Sequence, residues 1–295
     1  MTVNHAKYLL ATFVLSISSF SFAQVSEQEK EALLDFYSST NGKEWTTKWD
    51  LEAPISSWYG VTIKENHVVS IILNYNNLVG RLPKSFLKLE KLTNLNLAMN
   101  GLKGELPKEL FELKQIKNLA LEMNNFKGSL PSQFLGCENL ETLTLYNNNL
   151  DGEIPSKIGD VKSLKVLNIS GNYFSGSIPK SVEDLVNLEV LGLFGNKLDG
   201  EIAIDFKKLP KLSEISLAYN NFEGAVPNGI GNLEELKYLQ LQGNKFNSFA
   251  SIQNIKKEGL LAFDSDDFQL NKDFEKLDLS TTRIVNSKLE DVKEN

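Results

Sequence analysis

Asparagine returns every twenty-four residues along most of this chain, at Asn76, Asn100, Asn124, Asn148, Asn172, Asn196, Asn220 and Asn244. Three residues before each stands Leu73, Leu97, Leu121, Leu145, Ile169, Leu193, Leu217 or Leu241. Five before stands Ile71, Leu95, Leu119, Leu143, Leu167, Leu191, Ile215 or Leu239, and two after comes a Leu or Phe, from Leu78 to Phe246. A register held this long defines a structural repeat, and it has to be settled before any count of domains. Within L-x-L-x-x-N the aliphatic positions alternate, so both side chains leave one face of a short strand. A single unit cannot bury that face, whereas stacked units form one continuous core. Successive strands then pair in parallel about 4.8 Å apart. The Asn ends the strand where the chain turns inward. Its amide can pair backbone groups that the turn leaves open, and stacked copies make a structural ladder.

Gly follows four residues after the Asn, from Gly80 to Gly224, where a backbone that bends sharply needs it. Seven after, Pro83, Pro107, Pro131, Pro155, Pro179 and Pro227 fix φ and begin the return segment, and Ala203 interrupts the series. The rest of each unit, such as Lys84-Ser85-Phe86-Leu87-Lys88-Leu89, is expected to make a helical turn on the outer side. The lone cysteine, Cys137, stands where other units carry Leu89, Leu113, Val161 or Leu185. It reads as a small core hydrophobe, with a reactive thiol as the alternative. One Cys excludes any disulfide within the chain.

The unit L-x-x-L-x-x-L-x-L-x-x-N-x-L-x-G-x-I-P resembles the plant-type leucine-rich repeat, and Phe174-Ser175-Gly176-Ser177-Ile178-Pro179 matches it closely. The likeness runs from about Val68 to Ser251. Plant receptor ectodomains, polygalacturonase-inhibiting proteins and secreted bacterial proteins share this class. It implies an α/β repeat solenoid: a right-handed leucine-rich-repeat superhelix with a parallel concave sheet and extra short strands near G-x-I-P. Eight 24-residue repeats, a degenerate ninth and a helical N-terminal cap are expected.

Residues 1–23 read as a signal peptide: Lys7, an apolar run from Tyr8 to Phe20, then small residues ending at Ala23. Residues 24–67 should form the cap that covers the first repeat. Ser26 with Glu29 makes a capping box, Leu33, Leu34, Phe36 and Tyr37 an apolar stripe, and Asn41-Gly42 a stop. All three Trp follow, at Trp45, Trp49 and Trp58. They are read as packing onto the first repeat, with a sugar-stacking platform as the alternative. The run from Ala32 to Gly42 and Trp58-Tyr59-Gly60-Val61-Thr62 is similar to the plant-type cap, but Ile63 stands where such caps carry a cysteine. That departure points to a cysteine-poor bacterial relative. Repeats are placed at 68–254, and 255–295 as a C-terminal cap and tail. Leu260 and Phe263 keep strand spacing, while Phe268 replaces the Asn. Asp264, Asp266 and Asp267 are read as acids blunting the last sheet edge, with calcium binding as the alternative.

Chemistry is scarce. After the signal segment one His (His67) and one Cys remain, which supports neither a zinc set nor a Cys/His or Ser/His pair. Without Lys7 the charge is 30 basic against 38 acidic residues, −8, and argues against nucleic acid. No stretch is long enough to span a membrane. No enzyme activity, cofactor or metal is expected. The outward positions of the strand lie six, four, two and one before each Asn. These thirty-two places hold no Lys, Arg or Asp and only two Glu, in a chain that is 23% charged. Charge depletion with aromatics and Met is the composition of an interface core. Ligand-binding candidates are therefore Tyr75, Met99, Met123, Tyr146, Phe194, Tyr219 and Tyr238, with Glu122 and Glu214 as polar anchors. β-propensity alone would also favour such residues. The expectation is a secreted, monomeric module at the cell surface, in the extracellular space or in the periplasm, that binds a protein through this face. Glycan or cell-wall binding, adhesion through self-association, and hydrolysis at Glu122 or Glu214 are the alternatives. Asn168-Ile169-Ser170 is a glycosylation sequon on the same face.

Overall fold

The structure is a computed structural model that describes residues 25–134, 136–253, 255 and 259–267. The expected signal peptide and the tail from Phe268 onward lie outside the described residues. One strand per unit builds a ten-stranded sheet in chain order: Val61–Lys64, His67–Ile72, Asn94–Asn96, Asn118–Ala120, Thr142–Thr144, Val166–Asn168, Val190–Gly192, Glu214–Ser216, Tyr238–Gln240 and Ala262–Asp264. The first pair is antiparallel and every later pair parallel, with partners twenty-four residues apart such as Leu95 with Leu119 and Leu119 with Leu143. The last strand carries the degenerate ninth unit into the sheet. This is a leucine-rich-repeat solenoid.

The period sets the core. Leu95, Leu97 and Leu102 of one unit are fully buried, as are their counterparts Leu143, Leu145 and Leu150. After each Asn the chain makes a second short strand, from Val79–Gly80 to Lys245–Ser248, and these form an eight-stranded lateral layer. The outer segments are single 3-10 turns, such as Lys84–Lys88, Ser156–Asp160 and Lys180–Asp184, each starting behind its Pro. Where Ala203 replaces Pro, the Asp205 carboxylate caps Phe206–Lys208 instead by accepting the Lys207 N–H at 3.1 Å.

The ladder is a set of side-chain to backbone bonds. The Asn148 amide donates to the carbonyls of Leu145 (3.0 Å) and Leu121 (3.1 Å), one unit back, while its oxygen accepts the Phe126 N–H at 3.0 Å. The Asn172 amide donates to Leu145 as well, so both lone pairs of that carbonyl are used. The same bonds recur at Asn100, Asn124, Asn196, Asn220 and Asn244. Asn76, with no unit before it, turns to the cap and donates to the Thr47 carbonyl. At the other end Asp266 serves in place of a ninth Asn: its carboxylate accepts the N–H groups of Gly243 (2.9 Å) and Asn244 (3.2 Å). This acid is occupied with capping backbone rather than merely repelling a neighbouring edge.

The cap helix spans Glu27–Ser39, with Ser26 accepting the Glu29 N–H. Asn41, at φ 59°, breaks it. Trp45, Trp49 and Trp58 are buried, and each indole N–H donates to a backbone carbonyl, of Thr40, Tyr59 and Asp50 respectively. Phe36 packs 5.5 Å from Trp45 and 5.2 Å from Phe86 of the first repeat, centroid to centroid. The sugar-stacking alternative is thereby removed, because no indole face is open. The lateral layer also continues into the cap: Val79 and Arg81 donate to the carbonyls of Thr40 and Ser39. Gly80 between them, at φ 145°, has no room for a side chain, since a Cβ would collide with the Ser39 carbonyl.

Cys137 is 1% exposed, and its thiol donates to the Phe111 carbonyl at 3.4 Å. Burial pushes its pKa up to about 12, so the nucleophilic thiolate is absent at neutral pH. The native protein is expected to leave a disulfide reagent unreacted at pH 8 for hours and to consume one equivalent on denaturation. Rapid labelling without denaturant would contradict the packing.

Candidate functional site: the concave sheet

The nine candidates fall into three groups. Tyr75, Met99, Met123 and Tyr219, one before the Asn, all have left-handed backbone, with φ between 53° and 56°. Asn147, Gly171, Gly195 and Gly243 fill the same place in other units, also at positive φ. This position is therefore a turn at the rim of the sheet, not a fourth strand residue. Its signal was the recurrence of Gly and Asn, which tolerate that conformation. A Tyr or Met held there costs on the order of 1 kcal/mol. Tyr75 is 81% exposed, Tyr219 54% and Met99 37%.

Glu122, Tyr146 and Phe194, two before the Asn, line one row of the sheet floor, and all three are half-buried. Backbone bonds continue the parallel pairing through this row, from Met123 N–H to the Tyr146 carbonyl (2.9 Å) and from Gly171 N–H to that of Phe194 (2.7 Å). The Phe194 and Tyr219 rings meet at 5.1 Å. Glu122 accepts the Thr144 hydroxyl at 2.7 Å. Burial raises its carboxyl pKa, and the Thr144 bond partly opposes the rise.

Glu214 and Tyr238 depart from the expectation of water-facing anchors, being 3% and 7% exposed. Glu214 lies in register between Val190 and Tyr238, so a branched side chain and a phenol ring close on its stem from both sides. The floor around them is equally closed, with Ser216 and Ala218 at 0%. Two further residues on the Glu122 row were not singled out from sequence: Ser170, 2% exposed, and Gln242. The Ser170 hydroxyl oxygen and the Gln242 amide oxygen are buried without a hydrogen-bond partner. Nothing in their residue types marks them; only their row does.

Some chemistry can be tested by distance. Glu122 and Glu214 stand four strands and four residues apart, about 23 Å at ordinary strand spacing. A hydrolytic carboxylate pair needs about 5–9.5 Å. Asn168 of the sequon is 3% exposed and its side chain accepts the Ser170 N–H, which leaves no room for a glycan on the folded chain. Among the described residues no group of three or more His, Cys, Asp or Glu is placed to hold a metal. No helix among them is long and apolar enough to cross a membrane.

Repeat, sheet and ladder together define a leucine-rich-repeat solenoid whose units are similar to the plant type. The leucine rich repeat family matches residues 138–198 and again 211–233. Receptor-like protein 3 of Arabidopsis thaliana is 34% identical over 102 residues, 32% of this chain and 13% of that protein. The ectodomain of the Arabidopsis receptor kinase HAESA, solved with the peptide hormone IDA, superposes with a TM-score of 0.64 at 25% identity, over 81% of this chain and 45% of that one. A leucine-rich-repeat protein of Leptospira interrogans superposes with a TM-score of 0.54 at 34% identity, over 66% of this chain and 47% of its own. The chain thus spans less than half the length of each of these three relatives.

Proposed function

We propose that this chain is a secreted, monomeric binding module that recognises a protein ligand through the concave sheet, in the extracellular space or at a cell surface. The observation that carries the reading is a sheet face that, over its eight repeats, holds no Lys, Arg or Asp and displays Tyr75, Met99 and Tyr219 to water in strained backbone. Charge depletion with exposed aromatics is the pattern of an interface centre, and strain retained at exposed sites is a mark of function. The sheet is about 40 Å long at ordinary strand spacing, enough for a standard interface. The HAESA ectodomain, with its bound peptide hormone, supports a peptide or protein ligand for the shared fold. The cysteine-poor cap and the likeness to a Leptospira protein support a bacterial origin.

Pull-down from host and self secretomes tests the reading. The double variant Tyr146→Ala, Phe194→Ala removes two floor rings and should lower capture of the specific partner at least tenfold, since each central aromatic contributes about 2 kcal/mol or more in such interfaces. Equal capture by both forms would move the site off the sheet.

A further inference from the structure

We propose that the row containing Glu122 takes an extended polypeptide segment of the partner, with a basic side chain seated between the Glu122 carboxylate and the Tyr146 ring. This rests on the concave-face reading and names the chemistry of its ligand.

Within the eight repeats Glu122 and Glu214 are the only acids among the outward positions, and no base accompanies them. Glu214 is closed off, whereas Glu122 remains half-buried and reachable. Its carboxylate has the Thr144 hydroxyl at 2.7 Å but no Lys or Arg within ion-pair distance among the described residues. A carboxylate drawn partly out of water with no counter-charge favours a cation brought by a ligand, and an Arg fork would meet it with charge-assisted bonds. Tyr146 occupies the equivalent position on the next strand, about 4.8 Å away, and brings an aromatic ring, which attracts cations, to the same row.

The rest of the row fixes the form of the ligand. The Ser170 hydroxyl is almost fully buried and unpaired, and the Gln242 amide oxygen is also buried and unpaired. Such atoms are rare in folded proteins and call for a donor. They stand two and five strands beyond Glu122, roughly 10 Å and 24 Å. An extended chain advances about 3.4 Å per residue, so donors three and seven residues from the basic side chain would meet them. Beside Ser170 the floor is Gly192, whose missing Cβ makes room for the Asn168 amide and the Ser170 hydroxyl, their oxygens 2.5 Å and 3.1 Å from where it would stand. The net charge of −7 suits a basic partner.

The test pans a phage-displayed library of random dodecapeptides on the purified chain. The enriched consensus is then made with a fluorescent label, both as selected and with citrulline replacing its basic residue. Binding is read by fluorescence polarisation on wild type, Glu122→Gln and the Tyr146→Ala, Phe194→Ala double variant. The expected consensus carries Arg or Lys. Citrulline should weaken wild-type binding about tenfold or more, as loss of a charged hydrogen bond does, and should change nothing further in Glu122→Gln. Thermal melts of the near-isosteric Glu122→Gln confirm that it folds. A consensus lacking a basic residue, or none at all, overturns the inference. So does a citrulline penalty equal in wild type and Glu122→Gln. If the double variant binds the peptides as well as wild type does, the concave-face reading itself falls.

Discussion

Replacing Asn148 by Ala is expected to lower stability by about 3 kcal/mol, measured by urea unfolding followed by far-UV circular dichroism. Asn148 is buried in mid-solenoid, and its removal leaves the Phe126 N–H without an acceptor. It also strips one donor each from the carbonyls of Leu121 and Leu145, which keep the neighbouring Asn124 and Asn172. One orphaned buried donor costs about 1–3 kcal/mol, and the small cavity adds to it. Asn148→Asp should be worse at neutral pH, because a carboxylate would face carbonyl oxygens instead of donating to them, and should recover as acid protonates it. The half-buried Asn244, where water can replace lost partners, should cost about 1 kcal/mol on the same scale. A loss below 1 kcal/mol at Asn148 would mean that the ladder only decorates the turn.

Phe36→Ala should strike the cap harder than the repeats. Phe36 is 1% exposed and links Trp45 and Trp49 of the cap to Phe86 of the first unit. Truncating a buried Phe costs about 3–5 kcal/mol. In a solenoid each unit rests only on its neighbours, so the loss is local before it is global. All three Trp belong to the cap, so indole fluorescence reports the cap while circular dichroism reports mainly the repeats. In the variant the fluorescence midpoint should fall to lower urea, ahead of the dichroism midpoint. Coincident transitions with an unchanged midpoint would show that the aromatic cluster does not hold the cap.

Much of this was legible from residues alone because a period is redundant information. Each unit meets a copy of itself on either side, so the spacing of Leu95, Leu97 and Leu102 states both the strand and what it packs against. The same logic placed Cys137 in the core and Asn148 at a turn, and the need to cover an open end explained three Trp in one short stretch. What the period omits is whatever depends on the particular neighbour. The turn at Tyr75, Met99, Met123 and Tyr219 was missed because alternation of side chains does not distinguish a fourth strand residue from a left-handed one.

The burial of Glu214 and Tyr238 belongs to the same class: it follows from the bulk of Val190 and Tyr238 on flanking strands, which no position within one unit records. Nor could residue types tell that Asp266 would serve the last unit as Asn serves the others, or that the Ser170 and Gln242 oxygens would be left without partners. Sequence alone determined the coil, its core and its ladder, since these repeat. Only the tertiary structure decided which parts of the sheet face remain open to a ligand, since exposure depends on three-dimensional crowding that differs from one strand to the next.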